Sequence, residues 1–524
     1  MTTFSRKRSV PVEQKLERVV PVFTSFFIEE PKLVFGGGKL SVDPKAGIEN
    51  YGPFGWERHP SKTIQIGLIG TPEGVQDFLG FLEKAQNKLA PGFNSRGKPL
   101  DPHTFPDFPG CDPTESFRAQ FVSNNTALHR TIHSEFFSKA VSTPIEEAKI
   151  RNVIDLLLRE LEALNNLDPA PDVVVALLPP DVQHEVEHVG AAMARRKFVL
   201  SPRDRFLANL KKDEAAGQNV LTLEFDTPSS SLEGYWNIHH AFKARAMQFD
   251  IPTQLLWEST LRDEHLSSVA WNLFTALYYK AGHTPWRLQL LPDNTCYVGV
   301  SFYKERPFGK SDMNSSLAQV FGAGEGIVLQ GGKAVVDKNR GDSRPHLRET
   351  EAHALLTNAL EKYKLQHGGP PTRVVIHKTS RYWPEELDGF RKALGTIYHY
   401  DFLAFGELES RFMRLGKRPV VRGTGVILGK RYYALFTGGY IPYLRAYPSK
   451  RIPRPVEILE HFGDSTAQWV CTEILALTKL NWNSCWFGGT MPITIRFSRD
   501  VGRVLAELPK DGSVQPQSKY RYYM

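Results

Sequence analysis

Cysteine is scarce, with four in 524 residues at positions 111, 296, 471 and 485. The count is too low for a disulfide framework, and no two stand at metal-ligand spacing. No apolar run reaches the roughly 18 residues of a membrane-spanning helix. The first ten residues, MTTFSRKRSV, lack the apolar centre of a secretory signal. The expectation is a cytosolic protein. Long blocks of one charge are missing as well. Lys and Arg outnumber Asp and Glu by 65 to 57, a net charge of +8, yet beyond RKR at 6–8 the excess is diffuse. A diffuse excess permits a polyanionic partner, nucleic acid foremost, and fits a mildly basic enzyme equally well. Repeats and low-complexity segments are absent. So is a phosphate-cradling glycine loop, because GAGEG at 322–326 has neither the spacing nor the lysine that such a loop needs.

What is present is ordinary globular material, 41% hydrophobic and 23% charged, in a chain too long for one core. Residues 1–60 read as an irregular, glycine-rich, linker-like segment (FGGG at 35–38, YGPFG at 51–55). From 61 to about 290, buried strands alternate with helices: TIQIGLIG at 63–70, a helix capped by Thr71 with Pro72 in its first turn, FRAQFVS at 117–123, an amphipathic helix over 145–164, and DVVVALLPP at 172–180. LTLEF at 221–225, a helix over 236–249, PTQLLW at 252–257 and a helix near 266–281 follow. Such alternation means a parallel α/β sheet. From 291 to 524 the pattern changes to successive strands with short turns, then helices at 350–365, 385–394 and 465–480 among further strands, with MPITIRFSR at 491–499 read as the last strand. A strand meander followed by alternating helix and strand is the order of a ribonuclease-H-like fold. The first strand of the meander contains Gly299, and a glycine in a strand interior needs a reason, such as another backbone passing close by.

Two constellations carry chemistry. His239 and Lys243 stand four apart on a helix and share a face. Gln254 opens the next strand, and Lys280 ends a later helix with Gly282 beyond it as a cap. A phosphate monoester takes this mixture of a compact ammonium, a second cationic side chain, an amide and helix ends. A solvated helix face and a turn residue would read the same way. The order HxxxK, IPTQ, YYKAG, PW resembles the MID domain of Argonaute proteins, and there His239, Lys243, Gln254 and Lys280 match the positions that hold a guide strand's 5′-phosphate. His240 is the competing register, and the HxxxK spacing selects His239.

The second half resembles a PIWI domain through YVGVSFY, VVIHKTS and the closing EILALTKLNWNSCWFGGTMPITIRFSRDVGRVL. Nucleases of that fold hold two metals by carboxylates. The matching positions here are Ser301, Thr379 and Arg499. Hydroxyls are poor magnesium ligands, and an arginine repels the ion. Asp312, Glu325 and Asp500 are the acidic residues nearby. The resemblance therefore implies a short prokaryotic Argonaute: a Rossmann-like MID domain (61–290), a ribonuclease-H-like PIWI domain (291–524) with a degenerate active site, and no PAZ or N domain. It implies a 5′-phosphorylated guide RNA, a single-stranded DNA target left uncut, and an APAZ-containing effector partner of TIR, sirtuin-like or nuclease type in a defence system. It also implies Mg2+ at the guide phosphate, held with help from the Met524 carboxylate and Gln254. Lys479, Asn481 and Arg496, with Arg445, Arg451 and Arg499, are candidate contacts to the nucleic-acid backbone. The alternative is an active guide-dependent endonuclease.

Overall fold

The computed structural model describes residues 23–186 and 237–524, apart from short stretches at 59–61, 94–96, 112, 145, 263–264, 290–293, 305–312, 322–325, 338–339, 341–343, 408–418, 430, 449–451 and 510–511. LTLEF, Asp312, Glu325 and Arg451 lie outside the described residues.

The first half holds a parallel sheet in the order Ala119–Val122, Lys62–Gly70, Val173–Leu178, Thr253–Trp257, with His129–Thr131 pairing beside the far end of Lys62–Gly70. Val173–Leu178 is buried at every position, as a parallel strand covered on both faces should be. The helix Pro72–Lys84 begins where the sequence says it should, with the Thr71 hydroxyl accepting from the Gly74 amide at 2.9 Å.

The second half is built on a nine-stranded mixed sheet. Thr295–Lys304, Met313–Phe321 and Ile327–Lys333 form the antiparallel meander. Arg373–Lys378 and then His399–Glu407 add parallel on the other side of Thr295–Lys304. Val456–Gly463, Tyr433–Leu435 and Thr424–Ile427 extend the sheet antiparallel.

Two readings of the sequence are corrected. Residues 24–27 are no linker, because Thr24–Phe27 is the edge strand of the large sheet, antiparallel to Thr424–Ile427. Leu33–Val34 and Leu40–Ser41 pair in a small sheet that Arg287–Leu288 completes. The second correction concerns residues 493–505, which form a helix, Ile493–Leu505, where alternation over ITIRF suggests a strand. Alternation over five residues is outweighed by burial of Phe497, Ser498, Val501, Val504 and Leu505, whose spacing is helical.

That helix explains Gly299. A Cβ there would collide with the carbonyl oxygen of Thr494, so only glycine lets the helix backbone lie on the strand. The two halves share one core, in which Tyr279 stacks on Trp482 (4.7 Å, 26°) and the Trp286 indole donates to the Lys479 carbonyl at 2.9 Å.

Candidate nucleic-acid interface

Asn237 caps the helix Ile238–Ala246 by accepting from the amides of His239 and His240 at 3.0 and 3.2 Å. This presents His239, His240 and Lys243 in its first two turns. The helix Leu266–Lys280 is almost entirely buried and ends with Lys280 beneath the start of strand Thr253–Trp257. There the fully buried Lys280 ammonium donates to the Thr253 carbonyl (2.7 Å), to Gln254 Oε1 (2.8 Å) and to the main-chain oxygen of Met524 (2.7 Å). Residues at 253–254, 280 and 524 thus meet at one point. The C-terminal segment is held in place on both sides. Gln517 Nε2 donates to the Met247 carbonyl at 3.1 Å, while the Tyr520 amide donates to the Gly326 carbonyl at 2.9 Å.

Electrostatics distinguish this point. Burial, and then the Lys243 charge, press Lys280 well below the ordinary lysine range. Burial, Lys243 and Lys280 bring His239 down to about 4. Burial, Lys243, Arg503 and His239 bring His240 down to about 3. Every neighbour acting on these three groups disfavours their charge. The hydrogen bonds of Lys280 go to oxygens of Thr253, Gln254 and Met524, and among the described residues no side-chain carboxylate stands against its charge.

Sequence spacing gave His239 alone, whereas the structure puts His240 and Arg503 in the same field and sets Trp257 edge-on to His239 at 5.6 Å. The Asn237 cap was legible, since Asn stands directly before the helical run.

The residues do not fit Mg2+. The oxygens of Gln254 and Met524 are both taken by the Lys280 ammonium, and no carboxylate side chain joins them there. Among the described residues no cluster of three His, Cys, Asp or Glu is placed to hold a metal. Magnesium wants near-octahedral oxygen ligands, and the two oxygens expected to hold it face the Lys280 ammonium instead.

In the large sheet, Ser301 is 3% exposed. Val300 pairs with Lys378, so Ser301 and Thr379 follow side by side at the ends of adjacent parallel strands. The helix Ile493–Leu505 covers this face. Thr494 Oγ1 lies 2.6 Å from His377 Nδ1, and Ser498, four residues on, shares the Thr494 face. Arg499 is rotated about 100° from Ser498 around the helix, so Ser498, not Arg499, continues the Thr494 face.

Among the backbone contacts expected from sequence, Lys479 is corrected. It is 2% exposed, donates to Glu30 Oε1 (2.9 Å) and to the Val42 carbonyl, and is brought to about 8 mainly by burial. Asn481 shapes its own turn through Ser484 Oγ at 2.8 Å. Arg496 lies 3.8 Å from Asp500 on the same helix, and Arg445 is exposed.

No family model matches the chain. Over 277 residues it is 21% identical to the Argonaute protein of Aquifex aeolicus (strain VF5), a match covering 50% of this chain and 36% of that protein. In structure it is similar to Clostridium butyricum Argonaute bound to a guide DNA and a 19-mer target DNA (TM-score 0.59, 15% identity, 93% of this chain and 54% of that one). It is also similar to Marinitoga piezophila Argonaute in complex with a 5′-hydroxyl guide RNA (TM-score 0.54, 12% identity, 95% and 59%). The chain spans little more than half the length of these solved relatives. Over the part of their length that it spans, the chain has the fold of the Argonaute proteins.

Proposed function

We propose that this protein binds a guide nucleic acid by its 5′-phosphate and uses it to recognise a complementary DNA strand that it does not cut. The observation that carries the reading is the buried Lys280 ammonium, which meets no side-chain carboxylate and is flanked by Lys243, His239 and His240. A phosphate oxygen takes the place of Gln254 Oε1 or of the Met524 oxygen on Lys280. Lys243 and a protonated His239 supply further charge-assisted donors. No metal is used in this reading. The test compares 5′-phosphorylated and 5′-hydroxyl guides of one sequence, the latter being the kind in the Marinitoga piezophila complex. The phosphorylated guide is expected to bind at least tenfold tighter, and equal affinities overturn the reading.

The first half is proposed as a MID domain and the second as a ribonuclease-H-like PIWI domain. The meander with two parallel strands added beside its first supports the latter. Ser301 and Thr379 are hydroxyls where a two-metal nuclease needs carboxylates. A guide-loaded protein should therefore leave a fully matched DNA target intact in magnesium or manganese. A defined cut opposite the middle of the guide would restore the endonuclease alternative.

The remaining contacts and the output are proposed to come from an APAZ-containing effector in a defence system. Target binding activates such a partner only if the active state binds the duplex more tightly. Target dissociation constants should then differ between complexes with an activatable partner and with one locked inactive. Equal values exclude the coupling.

A further inference from the structure

The helix Ile493–Leu505 belongs to the second half but reaches the candidate pocket of the first. It packs on the strands Thr295–Lys304 and Met313–Phe321 of the large sheet, and also against the helix Ile238–Ala246 that carries His239, His240 and Lys243. Its start is seated on two neighbouring strand residues. Gly299 and His377 are direct partners on adjacent parallel strands, and Thr494 lies over both. The Thr494 carbonyl fills the space that any Cβ at 299 would need, and its hydroxyl lies 2.6 Å from His377 Nδ1. Both residues are buried, and among the described residues the other ring nitrogen of His377 has no hydrogen-bond partner. A buried polar group left unmet is costly, so the Thr494 hydroxyl pins the helix start to the sheet.

The far end of the helix meets the pocket. Arg503 stands about 13 Å along the axis from Thr494, at 1.5 Å per residue. It pairs with Asp500 at 3.2 Å, and its charge is among those that press His240 down. Just past the helix, Glu507 Oε1 stands 3.5 Å from the amide of Asn237, the cap of the helix Ile238–Ala246. Between the two ends Phe497 stacks on Tyr520, in the segment that carries the Met524 oxygen to Lys280. Buried residues run from Ile493 to Leu505, and a helix packed at interior density shifts as a unit and transmits strain. Where Thr494 sits therefore sets where Arg503, Glu507 and Tyr520 stand.

We propose that the seat of Thr494 on Gly299 and His377 positions the anion pocket of the other half, with the helix Ile493–Leu505 as the rigid link. Gly299 and Thr494 are then positioning residues, which touch no ligand and act through the helix. Coupling of this kind is reciprocal. A filled pocket holds the helix down on the sheet face that carries Ser301, so the large sheet registers whether a guide end is in place. The proposal rests on the 5′-phosphate reading above for its ligand, but the mechanical link is measurable without one.

The test uses the full chain and guides of one sequence carrying a 5′-phosphate or a 5′-hydroxyl, and reads the ratio of their dissociation constants. Gly299→Ala is expected to shrink the preference for the phosphate about fivefold or more. Thr494→Val should shrink it about threefold, and Thr494→Ser, which keeps the hydroxyl, should leave it unchanged. A general loss of stability weakens both guides alike and spares the ratio. The second readout is amide hydrogen exchange in the guide-free chain. Gly299→Ala and Thr494→Val are expected to speed exchange about fivefold in Ile238–Ala246 and to leave Pro72–Lys84 unchanged. If the 5′-phosphate reading alone is wrong, the wild type binds both guides equally, yet this exchange difference persists. If this proposal alone is wrong, the wild type prefers the phosphate, the variants share that preference, and Ile238–Ala246 exchanges at the wild-type rate. Should Gly299→Ala fail to fold, the two Thr494 variants decide, and wild-type exchange in Thr494→Val overturns the link.

Discussion

Lys378 and Lys280 are equally buried, and they are answered differently. Lys378 in the large sheet donates to both oxygens of Glu386 at 2.6 Å. Burial pushes the Glu386 carboxyl up, but His346, Lys378 and the Leu347 amide together bring it below its ordinary value. Arg373 is matched in the same way by Asp401 and Glu473, and Arg422 by Glu30. Lys280 at the proposed guide pocket meets oxygens of Thr253, Gln254 and Met524 and no side-chain carboxylate, with Lys243 as a charged neighbour. A buried cation with its carboxylate is part of the scaffold. One without a carboxylate is a cost that a ligand can offset.

The largest effect should come from breaking a matched pair. Glu386→Ala strands Lys378 and is expected to lower unfolding free energy by about 3–5 kcal/mol, measured by denaturant titration. An effect below about 1 kcal/mol would mean that pairing is not what distinguishes the large sheet. Lys280→Met should invert that pattern, changing stability by less than about 1.5 kcal/mol while weakening the 5′-phosphorylated guide by about 1.5–3 kcal/mol. A 5′-hydroxyl guide should lose little, and equal losses for the two guides would remove the distinction.

Acidification tests the pocket histidines separately from the paired carboxylates of the large sheet. Unfolded histidine titrates near 6.5, whereas folded His239 and His240 titrate at about 4 and 3. Between these values the unfolded chain binds more protons, so stability is fully present above pH 6.5 and falls as pH drops toward 3. Glu386 and Asp401, held low by their partners, give up their contribution only as pH falls below the ordinary carboxylate range. From pH 7 to pH 5 the two pocket histidines should therefore cost about 1–2 kcal/mol, allowing for their partial exposure, beside a loss from His377 of the large sheet, which burial brings down to about 3. Replacing both histidines by glutamine should flatten that stretch of the thermal-stability profile, and an unchanged slope would place the titration elsewhere. The smallest expected effect is none: chelation with EDTA should leave guide affinity unchanged, because an ammonium occupies the place a metal would take. A tenfold loss on chelation would reinstate the ion.

Local pattern made much of this legible. The run Val173–Leu178 and the Thr71 cap were both readable because strand burial and helix capping depend on near neighbours in sequence. So was the shared face of His239 and Lys243, which follows from 3.6 residues per turn. The helix Ile493–Leu505 was misread because ITIRF satisfies both periods over so short a window. Its longer apolar stripe and the bare backbone of Gly299 decide for the helix. Lys479 was misread because a lysine at the end of a helical pattern carries no mark of burial, and the Glu30 that claims it lies 449 residues away.

By itself the sequence determined where most strands and helices fall, the alternating first half and meandering second half, and which side chains carry charge. Periodicity and side-chain chemistry are local properties that survive without a fold. Only the tertiary structure decided which of those charges are answered. Pairing falls off within a few ångströms, and the groups that meet at Lys280 come from 253–254, 243 and 524, while the carboxylates that silence Lys378, Arg373 and Lys479 lie 8, 28 and 449 residues away in sequence. Burial then fixes the cost of each unanswered charge, and that cost distinguishes Lys280, the proposed anion site, from the paired cations.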